Sequence, residues 1–398
     1  MTPSVFMLLR APAAWLFWIA AALIVYTYFG YVLLLALAAR LARSPLAVTA
    51  APAAWQLPFV TLVVAAYNEE AVIQAKLANC AALDYPAGRL ELLFGSDGST
   101  DSTETLIRAA APANLRLLAY PVRRGKAVVT NDLIQQARGE ILVFTDANTF
   151  LEPESVRRLA QHFQDPGVGG VCGRLVLSRA LESRGAGLGD EVAYWNYEST
   201  LKRLEGKLGL TMAANGAIYA IRERLFRPLP TRRLIADDLL IPAAVISQGY
   251  AMTFEPHAVA HERTATSTRA ELARKIRIAE MAYNSIPFIW PLLLPQRGRV
   301  AWMLWSHKLI RWAVPFLLLA MLGSALVLWP ISFYRIVLLL QAGVYAAALI
   351  GYWLEERRRL PVWLSLPYYF AGANLALLLG FWRSLAHPSG GTWERTGR

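Results

Sequence analysis

Leu90-Glu91-Leu92-Leu93-Phe94-Gly95-Ser96-Asp97-Gly98-Ser99-Thr100-Asp101 is the stretch on which the reading of this chain turns. An apolar, strand-like run (Leu90 to Gly95) ends in an acidic turn with a glycine, and a helical pattern from Ser102 to Ala111 follows. The same grammar recurs around it. Phe59 to Ala65 leads through Tyr67-Asn68-Glu69-Glu70 into a helix ending near Leu83, and Leu115 to Tyr120 leads through Arg123-Arg124-Gly125-Lys126 into a helix ending near Arg138. Glu140 to Phe144 then enters Thr145-Asp146-Ala147-Asn148. Four strands alternating with helices predict an α/β domain with a mostly parallel sheet covered on both faces. Acidic groups at the carboxyl ends of such strands lie where these sheets bind ligands.

Composition adds a second part to the molecule. The 398 residues are 56% hydrophobic and 17% charged, too apolar for an ordinary soluble enzyme. Ala11 to Ala39, Ala313 to Trp329, Ile331 to Leu354 and Val362 to Trp382 are each long enough to cross about 30 Å of hydrocarbon as a helix. The first is about twice the length of a signal-peptide core and reads as an uncleaved anchor. Arg40 and Arg43 after it, against Arg10 before it, place the following domain in the cytoplasm, and Arg357-Arg358-Arg359 belongs on that side too. That arrangement puts the tail outside although it carries Arg383, Arg395 and Arg398, a conflict that a re-entrant last segment would remove. The net charge of +12 is concentrated near the membrane ends, so anionic lipid heads and a polyphosphate substrate account for it, and no nucleic-acid module is present. Cys80 and Cys172, in apolar surroundings, suggest neither a disulfide framework nor a thiolate metal site.

Beyond residue 167 the pattern changes to a strand (Gly170 to Leu177), a helix rich in aromatics (Tyr194, Trp195, Tyr197), the segment Asn215 to Ala220, and a helix opened by Ala236-Asp237-Asp238. Pro287, Pro291 and Pro295 break the chain before Val300 to Trp312, whose Lys308 and Arg311 among tryptophans suit a helix in the membrane interface; a core helix is the alternative.

Several residues carry candidate chemistry, each with a plainer reading beside it. Asp97 either hydrogen-bonds a base or ribose or merely shapes its turn. Tyr67 stacks on a base or is an ordinary buried aromatic. Asp146 and Asn148 alternate around Ala147, so in an extended loop they share one Mg2+ or Mn2+; otherwise Asn148 caps the next helix. Lys126 reaches a phosphate or sits in a solvated charge pair. Asp238 beside Asp237 is a general base with a raised pKa, or one of two acids favoured at a helix amino terminus.

Their order and spacing, with Arg274-x-x-Arg277, resemble the membrane-embedded family-2 glycosyltransferases of the cellulose synthase and hyaluronan synthase superfamily. The resemblance lies in Ala66 to Glu70, Asp97 to Asp101, Gly125-Lys126-Ala127, Arg138-Gly139-Glu140, Phe144 to Asn148 and Asn215 to Arg222. The tail Thr392 to Arg398 is similar to that of bacterial poly-N-acetylglucosamine synthase relatives. It implies an anchor and linker over 1–57, a cytoplasmic GT-A domain over 58–285, interfacial amphipathic helices over 286–312, and about three transmembrane helices with a tail over 313–398. It further implies an inverting hexosyl- or N-acetylhexosaminyltransferase of a bacterial inner membrane that uses a UDP-sugar donor, Mg2+ or Mn2+, and a growing extracellular polysaccharide as acceptor. Accessory secretion subunits would fit such an enzyme. In those roles Asp97 contacts the uridine, Asp146 and its metal grip the diphosphate, Asp238 is the base and Arg277 steadies the leaving group. Tyr67, Glu69 and Lys126 join the donor site, and Asp237 and Arg274 the catalytic set.

Two departures stand out. The usual Asp-x-Asp is Asp146-x-Asn148, which weakens a metal site, and the usual Gln-x-x-Arg-Trp is Arg274-x-x-Arg277-Ile278, which lacks the tryptophan that stacks on an acceptor sugar. Ile278 therefore supports an alternative, transfer of one sugar to a polyprenyl phosphate, a diacylglycerol or a ceramide. A transport or scaffold protein with a dead domain is disfavoured by the retained acids and Arg277.

Overall fold

The computed structural model describes residues 3–42, 57–110, 112–178, 188–263, 268–355 and 360–386. Arg43, most of the linker, Arg357 to Arg359 and the Thr392 to Arg398 tail lie outside the described residues. The strands are β1 (Val60–Ala66), β2 (Leu90–Asp97), β3 (Leu115–Tyr120), β4 (Ile141–Phe144), β5 (Thr149–Leu151), β6 (Val168–Ser178), β7 (Tyr219–Arg222) and β8 (Ala251–Arg263). They form one sheet in the order β3-β2-β1-β4-β7-β6-β8-β5. The β3-β2-β1-β4 part is parallel, as the alternating pattern requires. Antiparallel β7 joins it to β6, which runs parallel to β8, and β5 closes the edge antiparallel.

β2 is buried along its whole length and β1 nearly so, which is why their sequences are continuous apolar runs and not alternating ones. The helices Glu70–Ala81, Thr103–Ala110 and Lys126–Gln136 follow β1, β2 and β3. On one face Ile73, Leu77 and Ile107 pack on Leu62, Val64, Leu92 and Phe94. On the other, Val129 and Leu133 pack on Val63 and Leu93, in a core that continues into Tyr31, Leu35, Met303 and Leu304. This face of the sheet therefore shares its core with the first apolar helix and the start of the second, while Phe17, Ala325, Leu328, Tyr334 and Leu338 form a separate cluster among the apolar helices.

Among the described residues four helical stretches are long and apolar enough to cross a membrane: Leu9–Leu41, Arg299–Val327, Ser332–Leu354 and Val362–Ala386. Val300 to Trp312 is the first half of the second stretch, continuous through a π-helical turn, Trp305–Leu309. The helix Thr268–Ile289, which carries Arg274 and Arg277, packs against Val362–Ala386. A Cβ on Gly380 would lie 2.5 Å from Ala279 Cβ and 2.8 Å from Glu280 N, so glycine sets how closely these helices cross.

Candidate active site

The loops after β1, β2 and β4 meet at the carboxyl edge of the parallel strands. Asn68 has a left-handed backbone (φ 54°), which Asn tolerates. Its Oδ1 accepts from Thr100 N at 2.8 Å, and its own N–H donates to Ser99 Oγ at 3.2 Å. Glu69 N donates to Thr103 Oγ1 at 2.8 Å, and Asp101 Oδ1 caps the next helix by accepting from Thr103 N at 3.0 Å. The first two loops are therefore one hydrogen-bonded unit.

Asp97 is 4% exposed, and its two oxygens accept the backbone N–H groups of Arg124 at 2.6 Å and Gly125 at 2.9 Å. The carboxylate thus fixes the Val122 to Gly125 loop, a contact between two loops and not within the turn of Asp97 itself. Gly98, at φ +65°, lies under that loop; a Cβ there would be 2.5 Å from Arg123 N. The Arg123 guanidinium sits 3.9 Å from the centroid of the Tyr67 ring, so Tyr67 belongs to the same patch.

Lys126 stands at the centre. Its Nζ is 3.0 Å from Asp146 Oδ1 and 3.0 Å from Asp237 Oδ2. Burial works against its charge, but Asp146 and Asp237 outweigh it and hold the ammonium well above the ordinary lysine range. Lys126, Asp146 and Asp237 border a small cavity with Gly216 and Tyr219. Gly216 faces Asp146 and Asp238: a Cβ on it would lie 3.8 Å from Asp146 Oδ2 and 3.9 Å from Asp238 Oδ2. Burial, then the repulsion of Asp237, pushes the Asp238 pKa up to about 6.

Two of the expected residues have partners that the sequence did not suggest. The Asn148 side-chain amide donates to Glu262 Oε1 at 3.1 Å, and it is Asp146 that borders the cavity. Among the described residues no group of three or more His, Cys, Asp or Glu side chains forms a metal cluster. Protein carboxylates alone thus make an incomplete donor set, and Asp146, on the cavity, fits Mg2+ or Mn2+ with phosphate oxygens completing the shell; the Asn148 bond to Glu262 engages its amide nitrogen and not Oδ1. Arg274 is held by Glu271, with Nε and Nη2 each 2.9 Å from its carboxylate.

Other residues here carried no recognisable chemical signal in the sequence. Lys76 is fully buried, donates to Thr149 O at 2.6 Å and Thr145 Oγ1 at 3.1 Å, and braces the Asp146 loop; burial pulls its pKa down to about 8. Tyr219 stacks on Phe144 with centroids 4.7 Å apart. Burial and then Asp237, Asp238 and Asp146 hold its phenol neutral by raising its pKa. Ser285 Oγ accepts from Ala236 N at 3.0 Å and Asn284 Nδ2 donates to Leu234 O at 3.0 Å, tying the arginine helix to the acidic turn.

The family model described as glycosyltransferase like family 2 matches residues 58–280, more than half of the chain. An N-acetylglucosaminyltransferase of Rhizobium leguminosarum bv. viciae is 24% identical over 255 residues, covering 60% of this chain and 58% of that protein. A beta-monoglucosyldiacylglycerol synthase of Synechocystis sp. is 26% identical over 294 residues, covering 70% of this chain and 61% of that one. The match therefore spans about three fifths of the length of these two relatives. Among solved structures, the mannosyltransferase PcManGT from Pyrobaculum calidifontis, in complex with GDP-Man and Mn2+, superposes with a TM-score of 0.71 at 24% identity. The match covers 94% of this chain and 100% of that one, a likeness of fold that includes the GT-A-like domain and the apolar helices.

Proposed function

Since the chain belongs to glycosyltransferase like family 2, we propose that it transfers a sugar from a UDP-sugar, with inversion, to a hydroxyl or phosphate acceptor held at the membrane. The observation that carries this is the Lys126 ammonium 3.0 Å from both Asp146 and Asp237, beside Asp238, whose pKa of about 6 suits a base near neutral pH. Asp97 and Tyr67 build the nucleoside bed, with Glu69 in the loop beside it. Lys126 and Asp146 face the diphosphate. Asp146 is the residue to hold Mg2+ or Mn2+ with the donor's phosphate oxygens, where the ion would neutralise charge developing on the leaving group. Asp238 takes the acceptor proton while Asp237 keeps its neighbour's pKa high, and Arg277 with Arg274 steadies the departing diphosphate from the helix Thr268–Ile289. Arg40 behind the first span supports a catalytic domain on the cytoplasmic side of a bacterial inner membrane.

For the acceptor, a lipid is the better-supported class. Ile278 is 48% exposed next to Arg277, and Phe288, Trp290 and Leu294 are exposed further along the same segment. Ile278, the residue beside Arg277, is a branched aliphatic and not a stacking ring, and so matches acyl or prenyl chains better than a sugar. The similarity to beta-monoglucosyldiacylglycerol synthases favours the same class. The similarity to N-acetylglucosaminyltransferases favours a second reading, extension of an extracellular polysaccharide coupled to its secretion. Purified full-length protein given radiolabelled UDP-sugars and vesicles containing polyprenyl phosphate, diacylglycerol or ceramide should make a lipid product one sugar long at donor excess. A lengthening polymer would overturn the lipid reading in favour of the second.

A further inference from the structure

A buried ionic cluster lies outside the site. His307, Glu205 and Glu198 are 1%, 0% and 4% exposed. His307 Nδ1 is 2.6 Å from Glu205 Oε1, and Nε2 is 3.3 Å from Glu198 Oε2. Tyr31 of the amino-terminal helix donates to Glu205 Oε1 at 2.8 Å. Arg311 pairs with Glu198, and Lys308 Nζ is 4.0 Å from the same carboxylate. Two π-helical turns, Tyr26–Gly30 and Trp305–Leu309, meet beside the cluster. Tyr26 OH is 2.7 Å from Ser306 Oγ there, and Thr27 Oγ1 donates to Ser306 O at 3.0 Å. Such turns often mark functional sites, and buried ions persist only when closely matched.

The helix Leu188–Lys207 leads from this cluster towards the acidic groups. Glu205 Oε2 accepts from Met212 N at 3.3 Å, and Leu210 N donates to Glu205 O at 3.0 Å. One turn earlier, Lys202 Nζ donates to Ala214 O at 3.1 Å and to Asn215 Oδ1. From the far side, Ala214 N donates to Asp238 O at 2.8 Å, and Gly216 then borders the carboxylates of Asp146 and Asp238. We infer that Glu205, held by His307 and Tyr31, is a positioning residue that seats segment 210–216 against Asp238, so that docking of the apolar helices sets the geometry of the reacting groups. The inference rests on the role proposed above for Asp238.

The test uses His307→Ala, Glu205→Gln and their combination in the full-length protein in nanodiscs. The expected result is a kcat lower by about tenfold or more with donor KM changed by less than about twofold, because the Asp97 and Tyr67 loops stand on other strands. The double variant should lose no more than the worse single one, since both cut the same chain of contacts. Hydrogen exchange at 210–216 should quicken in each variant while exchange in β1 stays slow. If either variant fails to fold, Tyr31→Phe removes a single hydrogen bond and should give the same exchange signature with kcat lowered about two- to threefold. Unchanged exchange at 210–216 in a folded variant, or an unchanged kcat per folded enzyme, overturns the inference. Should no donor support turnover in the unmodified protein, the proposed reaction fails and exchange alone decides the positioning role.

Discussion

Replacing Asp238 by Asn is expected to stop turnover and to stabilise the protein at neutral pH. Burial and the adjacent Asp237 raise its pKa from 3.8 to about 6. An acid whose folded pKa exceeds its unfolded value contributes stability below the unfolded value, and this is lost as pH rises through the folded one. For Asp238 that window runs from 3.8 to about 6. At about 1.4 kcal/mol per pKa unit the ionised carboxylate costs at most about 3 kcal/mol at pH 7.5, and about half that at pH 5. Solvent screening lowers both figures, since the residue is partly exposed. The neutral amide removes the cost, so Asp238→Asn should unfold several degrees higher than the parent at pH 7.5 and gain less at pH 5. Thermal unfolding in detergent at the two pH values, with UDP release measured alongside, reads both effects. No gain, or an equal gain at both pH values, refutes the burial reasoning; retained turnover refutes the assignment of the base. In the unmodified enzyme the acid limb of the kcat profile should fall with an apparent pKa near 6.

Gly98→Ala should lose about 2–4 kcal/mol of stability and raise donor KM, because φ is +65° and the new Cβ would lie 2.5 Å from Arg123 N; an unaltered unfolding midpoint would contradict this. Lys126→Met should weaken UDP binding by about tenfold or more, since one charge-assisted contact is worth about 1.5–3 kcal/mol, and titration calorimetry with UDP checks it. EDTA should abolish turnover and Mn2+ or Mg2+ restore it; full activity after exhaustive chelation would remove the metal role given to Asp146.

β1, β2 and β4 were readable because they are buried almost throughout and end at polar turns, and the half-buried edge strand β3 because its apolar run ends at a basic turn. β8 was not. Its Pro256 and its polar Glu255, His257, His261 and Glu262 break the pattern of a strand, and the structure absorbs the proline in a register shift opposite Gly173 and Arg174. β5 is too short to show a period. Asn148 shows a related limit: alternation around Ala147 predicts that it shares a direction with Asp146, and it is the fold that brings Glu262 of β8 within hydrogen-bonding distance of its amide nitrogen.

By itself the sequence determined the parallel β-α pattern, the apolar helices and the identity of the acidic groups, because these depend on local periodicity and on which residues can hold a proton or a cation. Tertiary structure alone decided what each charge faces. Asp97 met the backbone of Arg124 and Gly125, Lys126 bridged acids 20 residues and more than 100 residues away in the chain, and His307 joined Glu205 across 102 positions. Electrostatic energy falls with distance in space and rises with burial. Neither quantity can be read along a chain whose strands pair out of order.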